Sequence, residues 1–218
     1  MFLDFHTHQI VKEAGAQNIY NVILSEETMQ DQRWMKQEAV SVGIHPWYMA
    51  GNRLDEMLAF LQEVAVLPVV KCIGEAGLDT LRGGDIEVQE MVFTRQIRIA
   101  EAVGKPVVIH CVRAFNELMA VAKNVRPDVP MIIHGFSRKP ELARKLISAG
   151  FYLSFGKDLL NKPQVQEAFR ETPAHRLFLE TDDREDISIR EVYEKAAAVR
   201  GISIEELQEK IYQNYTTL

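Results

Sequence analysis

Eight short apolar runs alternate with segments of helical periodicity along this chain, and that alternation restricts it to a parallel α/β fold. The runs fall at residues 2–5, 18–24, 39–44, 69–74, 106–109, 130–133, 151–154 and 177–180. Most are rich in Val, Ile, Leu and Phe, as expected of strands covered by helices on both faces. Leu54, Met57, Leu58 and Leu61 recur at helical spacing, and residues 86–103 form a long amphipathic stretch stopped by Gly104 and Pro106. Further helices are predicted over 114–123 and 140–149, the latter closed by Gly150. Two more finish the chain, opened by Ser188 with Glu191 and by Ser203 with Glu206, and separated by Gly201. The polar segment 26–38 reads as a short helix or a loop, and 9–17 shows no periodicity. A count of eight predicts a (β/α)8 TIM barrel, compact and near the short end for that fold at 218 residues. An open doubly wound sheet is the alternative, although the Gly-rich fingerprint of its dinucleotide-binding version is absent. No linker-like stretch interrupts the chain, so a single domain over 1–218 is expected.

The residues that carry chemistry sit at the ends of these runs. His6 and His8, spaced i and i+2 on the first strand, point to the same side. His45 ends the third run, Glu75 the fourth, His110 the fifth and His134 the sixth, and Asp182 follows the eighth. Five of the six histidines belong to this set, and only His175 lies elsewhere. In a barrel the C-terminal strand ends share one face, where active sites are built. Any one of these residues alone reads as an ordinary core or surface residue; all of them together point to a shared metal site. With His45 left aside, four imidazoles and two carboxylates exceed the needs of one tetrahedral zinc. They suit two divalent metals with a bridging carboxylate. Two metals about 3.5–4 Å apart activate a water and stabilise both the attacking and the leaving oxygen of a displacement. The mixed nitrogen and oxygen donors suit Zn, Mn, Ni, Fe or Co, and Mg less well, without choosing among them.

Charge limits the partners. The net charge is -6, and Lys and Arg are interspersed with Asp and Glu, with no basic run. Broad binding to duplex DNA needs a basic face, whereas a site taking a few phosphates at a strand end does not. No apolar run approaches the ~20 residues of a membrane span. Asp4 and two histidines stand where a signal peptide needs a basic and then an apolar region, so a cytoplasmic protein is expected. No stretch points to an obligate protein partner. Cys72 and Cys111 form no CxxC pair and read as reduced core residues; each neighbours a site position, which leaves a ligand role as the lesser alternative.

The chain resembles the TatD family of metal-dependent deoxyribonucleases, among the amidohydrolase-like TIM barrels. The resemblance covers nearly the whole chain. It is carried by Asp4-Phe5-His6-Thr7-His8, Gly43-Ile44-His45-Pro46, Ile73-Gly74-Glu75-Ala76-Gly77-Leu78-Asp79, Pro106-Val107-Val108-Ile109-His110, Ile133-His134-Gly135-Phe136 and Leu179-Glu180-Thr181-Asp182. Gln89, Phe93 and Asn214 also match the family pattern. The resemblance implies that His6, His8 and Asp182 hold one divalent metal, that His110 and His134 hold a second, and that Glu75 bridges them. It implies that Asp182 also orients or deprotonates the attacking water. It implies a substrate of single-stranded DNA or DNA 3′ ends, cleaved exonucleolytically.

Substrate contacts are read from position. His45 is expected to touch a substrate phosphate, with a structural role as the alternative. Arg113 follows His110 closely and either pairs with a phosphate in a bidentate way or is a solvated arginine at a helix start. Arg138 and Lys157 are weaker candidates of the same kind. Trp47 and Tyr48 either stack on a base or pack the barrel rim, and Trp34 reads as ordinary packing. Asp4 either orients a ligand histidine or caps its strand. Two departures from the family bear on substrate. Asp183, Glu185 and Asp186 follow the last motif where a small residue and a proline are usual, and the stretch between His8 and His45 is short. Added carboxylates repel a phosphate backbone, so a hydrolase acting on a small amide, lactone or phosphoester is the second reading. A non-catalytic metal-binding protein is disfavoured by the complete ligand set. A phosphoesterase of the PHP type, which also opens with His-x-His, is disfavoured by the single glutamate at strand four and the Glu-Thr-Asp ending.

Overall fold

The computed structural model describes residues 1–10, 13–49 and 53–218. Its strands are β1 (Phe2–Thr7), β2 (Ala16–Ile23), β3 (Val40–Gly43), β4 (Val70–Asp79), β5 (Val107–Val112), β6 (Met131–Ile133), β7 (Tyr152–Phe155) and β8 (Leu177–Leu179). They neighbour one another in sequence order, and the described pairings are parallel. Beyond β8 the chain returns to β1. Asp182 bridges Thr7, its N–H donating to the His6 carbonyl at 2.9 Å and its own carbonyl accepting from His8 N–H at 3.0 Å. This is the expected (β/α)8 barrel.

The described helices are α1 (Glu26–Gln30), α2 (Leu54–Val64), α3 (Ile86–Val103), α4 (Phe115–Val125), α5 (Pro140–Ser148), α6 (Lys157–Asn161), α7 (Pro163–Glu171), α8 (Ile189–Arg200) and α9 (Ile204–Thr216). No described helix is long and apolar enough to cross a membrane. The chain divides into two compact units, Met1–Tyr20 with Ile132–Leu218, and Asn21–Met131.

In the first unit β1 is buried at all six positions. Its Leu3 N–H and carbonyl are both answered by the Tyr193 hydroxyl of α8, at 3.2 Å each. Phe5 stacks on Phe178 of β8 with ring centroids 4.1 Å apart. Ser188 opens α8 with a reciprocal capping box to Glu191. At α9 one half of the expected box is seen, the Glu206 N–H donating to Ser203 Oγ at 3.1 Å. Asn214 is buried and donates to the Ala174 and Leu177 carbonyls, fixing the turn into β8. Helices α6 and α7 were not foreseen. Their buried positions, Leu159, Val165, Ala168 and Phe169, are few, and Pro163 reads as a break although at N1 it starts a helix.

In the second unit the sequence placed the end of the fourth strand at Glu75 and of the fifth at His110, and both strands run further. β4 continues to Asp79 and β5 to Val112, paired through Ala76–Ile109, Gly77–His110, Leu78–Cys111 and Asp79–Val112 after a register shift. Close backbone approach requires glycine here. A Cβ on Gly43 would lie 2.6 Å from Gly74 Cα, and one on Gly77, at φ +147°, would overlap the His110 carbonyl oxygen. Glu75 and His110 therefore project from within paired strand rather than from a loop. Trp34 is buried, its indole donating to the Thr28 carbonyl at 3.1 Å.

Candidate metal centre

The first unit gathers His6, His8, His134 and Asp182. The strand alternation of β1 sends His6 and His8 the same way, and their rings meet edge to face at 5.3 Å. His6 is fully buried, with its ring 4.3 Å from that of His134. Asp182 Oδ1 lies 3.7 Å from His6 Nε2 and 3.7 Å from His8 Nε2. The backbone places this carboxylate in the left-handed region at φ +58°, held there by the two hydrogen bonds to β1. For a non-glycine residue that conformation costs on the order of 1–3 kcal/mol, and such residues concentrate at functional sites.

Two acids of this unit stand behind the cluster. Asp4 accepts from Thr181 N–H at 3.0 Å and Thr181 Oγ1–H at 2.6 Å, so it ties β1 to the residue beside Asp182. Burial is the main force pushing its carboxyl up to about 7, against the Thr181 hydrogen bonds and with some help from Glu180. Glu180 is fully buried. Its Oε1 accepts from Gly135 N–H at 2.6 Å and lies 3.6 Å from His134 Nδ1. In the acidic loop, Arg184 pairs with Asp186 through Nε at 2.6 Å, and Lys157 Nζ lies 3.9 Å from Asp183.

The second unit gathers His45, Glu75 and His110. Glu75 is 3% exposed. Asn21 of β2 clasps it, donating to Glu75 Oε2 at 3.1 Å and accepting from Glu75 N–H at 3.0 Å. Ser41 fixes the amide in turn, donating to Asn21 Oδ1 at 2.9 Å. His45 Nδ1 accepts the Trp47 N–H at 3.1 Å, so in the neutral ring the proton sits on Nε2, which lies 3.2 Å from Glu75 Oε1. The His45 ring is thus buried and turned to Glu75. His110 Nδ1 lies 2.8 Å from the same oxygen.

Asp79, at the end of β4, closes this cluster from outside. Its Oδ2 accepts the Trp47 indole N–H at 2.6 Å and lies 3.4 Å from His110 Nε2. Its Oδ1 accepts from Leu81 and Arg82 N–H at 2.8 and 3.2 Å. Burial works to raise its pKa, but Trp47, Leu81 and His110 outweigh it and hold the carboxyl below the usual range. Gln89 of α3 brackets Asp79, accepting from its N–H at 2.8 Å and donating to its carbonyl at 3.0 Å. Trp47 and Tyr48 are 38% and 52% exposed, and the Arg82 guanidinium sits 4.6 Å over the Trp47 ring. Arg113 lies exposed just past β5 at φ +52°. Cys72 is buried, which pushes its thiol up to about 12, and Cys111 is half-buried.

These residues fit divalent cations. His6, His134 and Asp182 each offer a ligand atom within 4.8 Å of the others, and so do His45, Glu75 and His110. Imidazole and carboxylate are the donors that Zn, Mn, Fe, Co and Ni share. Asn21, Asp79 and Glu180 were not singled out in the sequence as site residues. Asp79 and Glu180 carried a signal, each being an acid at the end of an apolar run and inside a motif.

A profile of the TatD-related DNase family matches residues 4–218. The Escherichia coli protein named uncharacterized metal-dependent hydrolase YcfH is 29% identical over 195 residues, covering 82% of this chain and 72% of the relative. The 3′-5′ ssDNA/RNA exonuclease TatD of Cronobacter turicensis is 33% identical over 147 residues, covering 65% of this chain and 56% of the relative. The crystal structure of YjjV, a TatD homologue from Escherichia coli, superposes with a TM-score of 0.84 at 20% identity, covering 100% of this chain and 97% of that one.

Proposed function

This chain belongs to the TatD-related DNase family of metal-dependent hydrolases, and from that premise we propose that it cleaves the phosphodiester bonds of single-stranded DNA, working inward from a 3′ end. The observation that carries the reading is the gathering of His6, His134 and Asp182, whose ligand atoms lie within 4.8 Å of one another, together with His110 Nδ1 2.8 Å from Glu75 Oε1. A nucleic-acid substrate is supported by the relative named as an exonuclease on single-stranded DNA and RNA. It is supported also by exposed Trp47 and Tyr48 with Arg82 over the indole. Aromatic faces beside a cation suit a sequence-tolerant grip on single strands.

In this reading His6, His8, Glu75, His110, His134 and Asp182 would hold two divalent ions. Metal ions held there would polarise a phosphoryl oxygen and make a water nucleophilic at neutral pH. Asp182, its side chain 26% exposed, takes the proton of the attacking water at Oδ1. Asn21 and Ser41 hold Glu75 in one orientation. Arg113 pairs with a phosphate, His45 exchanges its Nε2–H contact with Glu75 Oε1 at 3.2 Å for one with a phosphate oxygen, and Trp47 stacks on a base.

The test is a time course on an end-labelled single-stranded oligonucleotide with a 3′-hydroxyl, with Mg, Mn or Zn added and Glu75→Ala as control. A ladder shortening one nucleotide at a time is expected, and the control should show none and retain little metal. Trp47→Ala should lose more activity on the oligonucleotide than on a small phosphodiester; equal loss on both would remove the stacking role. One observation favours a small-molecule hydrolase instead, the exposed acidic residues 183, 185 and 186 next to Asp182. Arg184 and Lys157 offset part of that charge. No cleavage by protein shown to hold two metal ions would transfer the reading to an amide, lactone or phosphoester substrate.

A further inference from the structure

We propose that Asp79 is a positioning residue that accepts the Nε2–H of His110 when a metal ion is bound, so that the Nδ1 lone pair is free for the ion beside Glu75. The inference rests on His110 being a metal ligand, as proposed above, and adds a residue to which no role has yet been assigned.

An ionised carboxylate only accepts hydrogen bonds, and a neutral imidazole has one N–H and one lone pair. Asp79 is 1% exposed. Its Oδ1 is committed to Leu81 and Arg82 N–H, so Oδ2 is left for the Trp47 indole at 2.6 Å and His110 Nε2 at 3.4 Å. An acceptor at that place selects Nε2–H. The lone pair is then on Nδ1, 2.8 Å from Glu75 Oε1. Two acceptors at that separation repel unless a positive centre serves both: a proton on Nδ1 does so without metal, and a bound divalent cation would take its place, leaving Nε2–H to Asp79. Metal-bound histidines commonly donate their other N–H to a carboxylate, which fixes ring and tautomer together.

Asp79 is itself rigidly placed. Gln89 holds its N–H and carbonyl, and donates also to the Arg82 and Gly84 carbonyls at 3.1 and 3.2 Å. The oxygen facing His110 also accepts the Trp47 indole, so the aromatic residue assigned to the substrate and the histidine assigned to the metal share one acceptor.

Asp79→Asn tests the assignment. The two backbone N–H groups draw the amide oxygen to the Oδ1 place, which turns the amide N–H toward His110. That donor favours a lone pair on Nε2 and a proton on Nδ1, where the metal should be. A fall in Zn affinity of about 10–100-fold is expected, measured by competition with a chromophoric chelator. A second measurement needs no variant. Long-range 1H–15N spectra of the Zn-loaded wild-type protein should show His110 protonated at Nε2 and without a proton at Nδ1. A Zn-loaded wild type with His110 protonated at Nδ1, or wild-type Zn affinity in folded Asp79→Asn, would overturn the proposal. His110→Ala separates this failure from that of the underlying reading. Loss of Zn in His110→Ala but not in Asp79→Asn removes the role of Asp79 alone, whereas full Zn affinity in His110→Ala removes the ligand assignment and the proposal with it.

Discussion

A carboxylate as deeply buried as Glu75 needs its lone pairs answered, because an unpaired buried charge is heavily penalised. Asn21 answers one oxygen, and its own amide oxygen is occupied by Glu75 N–H and Ser41 Oγ–H. Asn21→Ala strands a carboxylate oxygen, a backbone donor and a hydroxyl together. It should cost about 1–3 kcal/mol in urea unfolding of the metal-free protein, and unchanged stability would show that Glu75 finds other partners. Asn21 illustrates where the sequence falls silent. It lies inside an apolar run, and nothing local distinguishes it from any polar residue on a strand. Its role comes from β2 and β4 bringing it to Glu75, 54 positions along the chain. The histidines were legible because residue type, strand-end position and number agreed. The orientation of His45 toward Glu75 was not, since a turn hydrogen bond from Trp47 N–H sets it.

At the level of elements, helix starts and stops were legible because they are local. The boundaries predicted for the long helix are those of α3, with Gly104 left-handed at its end. Strand ends were less so. Glu75 and His110 look like terminators by residue type, yet pairing with a neighbour carries both strands beyond them. The support of one element by another was also hidden. Tyr193 reads as one more apolar position of α8, but its hydroxyl completes the hydrogen bonding of Leu3 in the strand that bears His6 and His8. Tyr193→Phe keeps the ring contact with Phe2 and removes that oxygen. It should cost about 1–3 kcal/mol and speed hydrogen exchange at the Leu3 amide. Wild-type exchange there would show that β1 holds itself without α8.

For the whole molecule, alternation made a parallel α/β sheet legible, and the count of eight favoured the sequential strand order over a doubly wound one. Metal should count in the stability of the whole. With free metal at a hundred times its Kd, each occupied site adds about 2.7 kcal/mol. In a chain of this size, stripping one site with a chelator should lower Tm by roughly 5–10 °C. A Tm indifferent to chelator would mean that the folded chain binds no metal under those conditions. The backbone link from Asp182 to β1 has a consequence in time. His45, Glu75 and His110 have all been made once residue 110 leaves the ribosome, whereas Asp182 comes 175 positions after Thr7. The cluster around His6 is therefore incomplete until residue 182 has been made. By then all eight strands have been made, and the choice of ion falls to a chain that can already form its sheet.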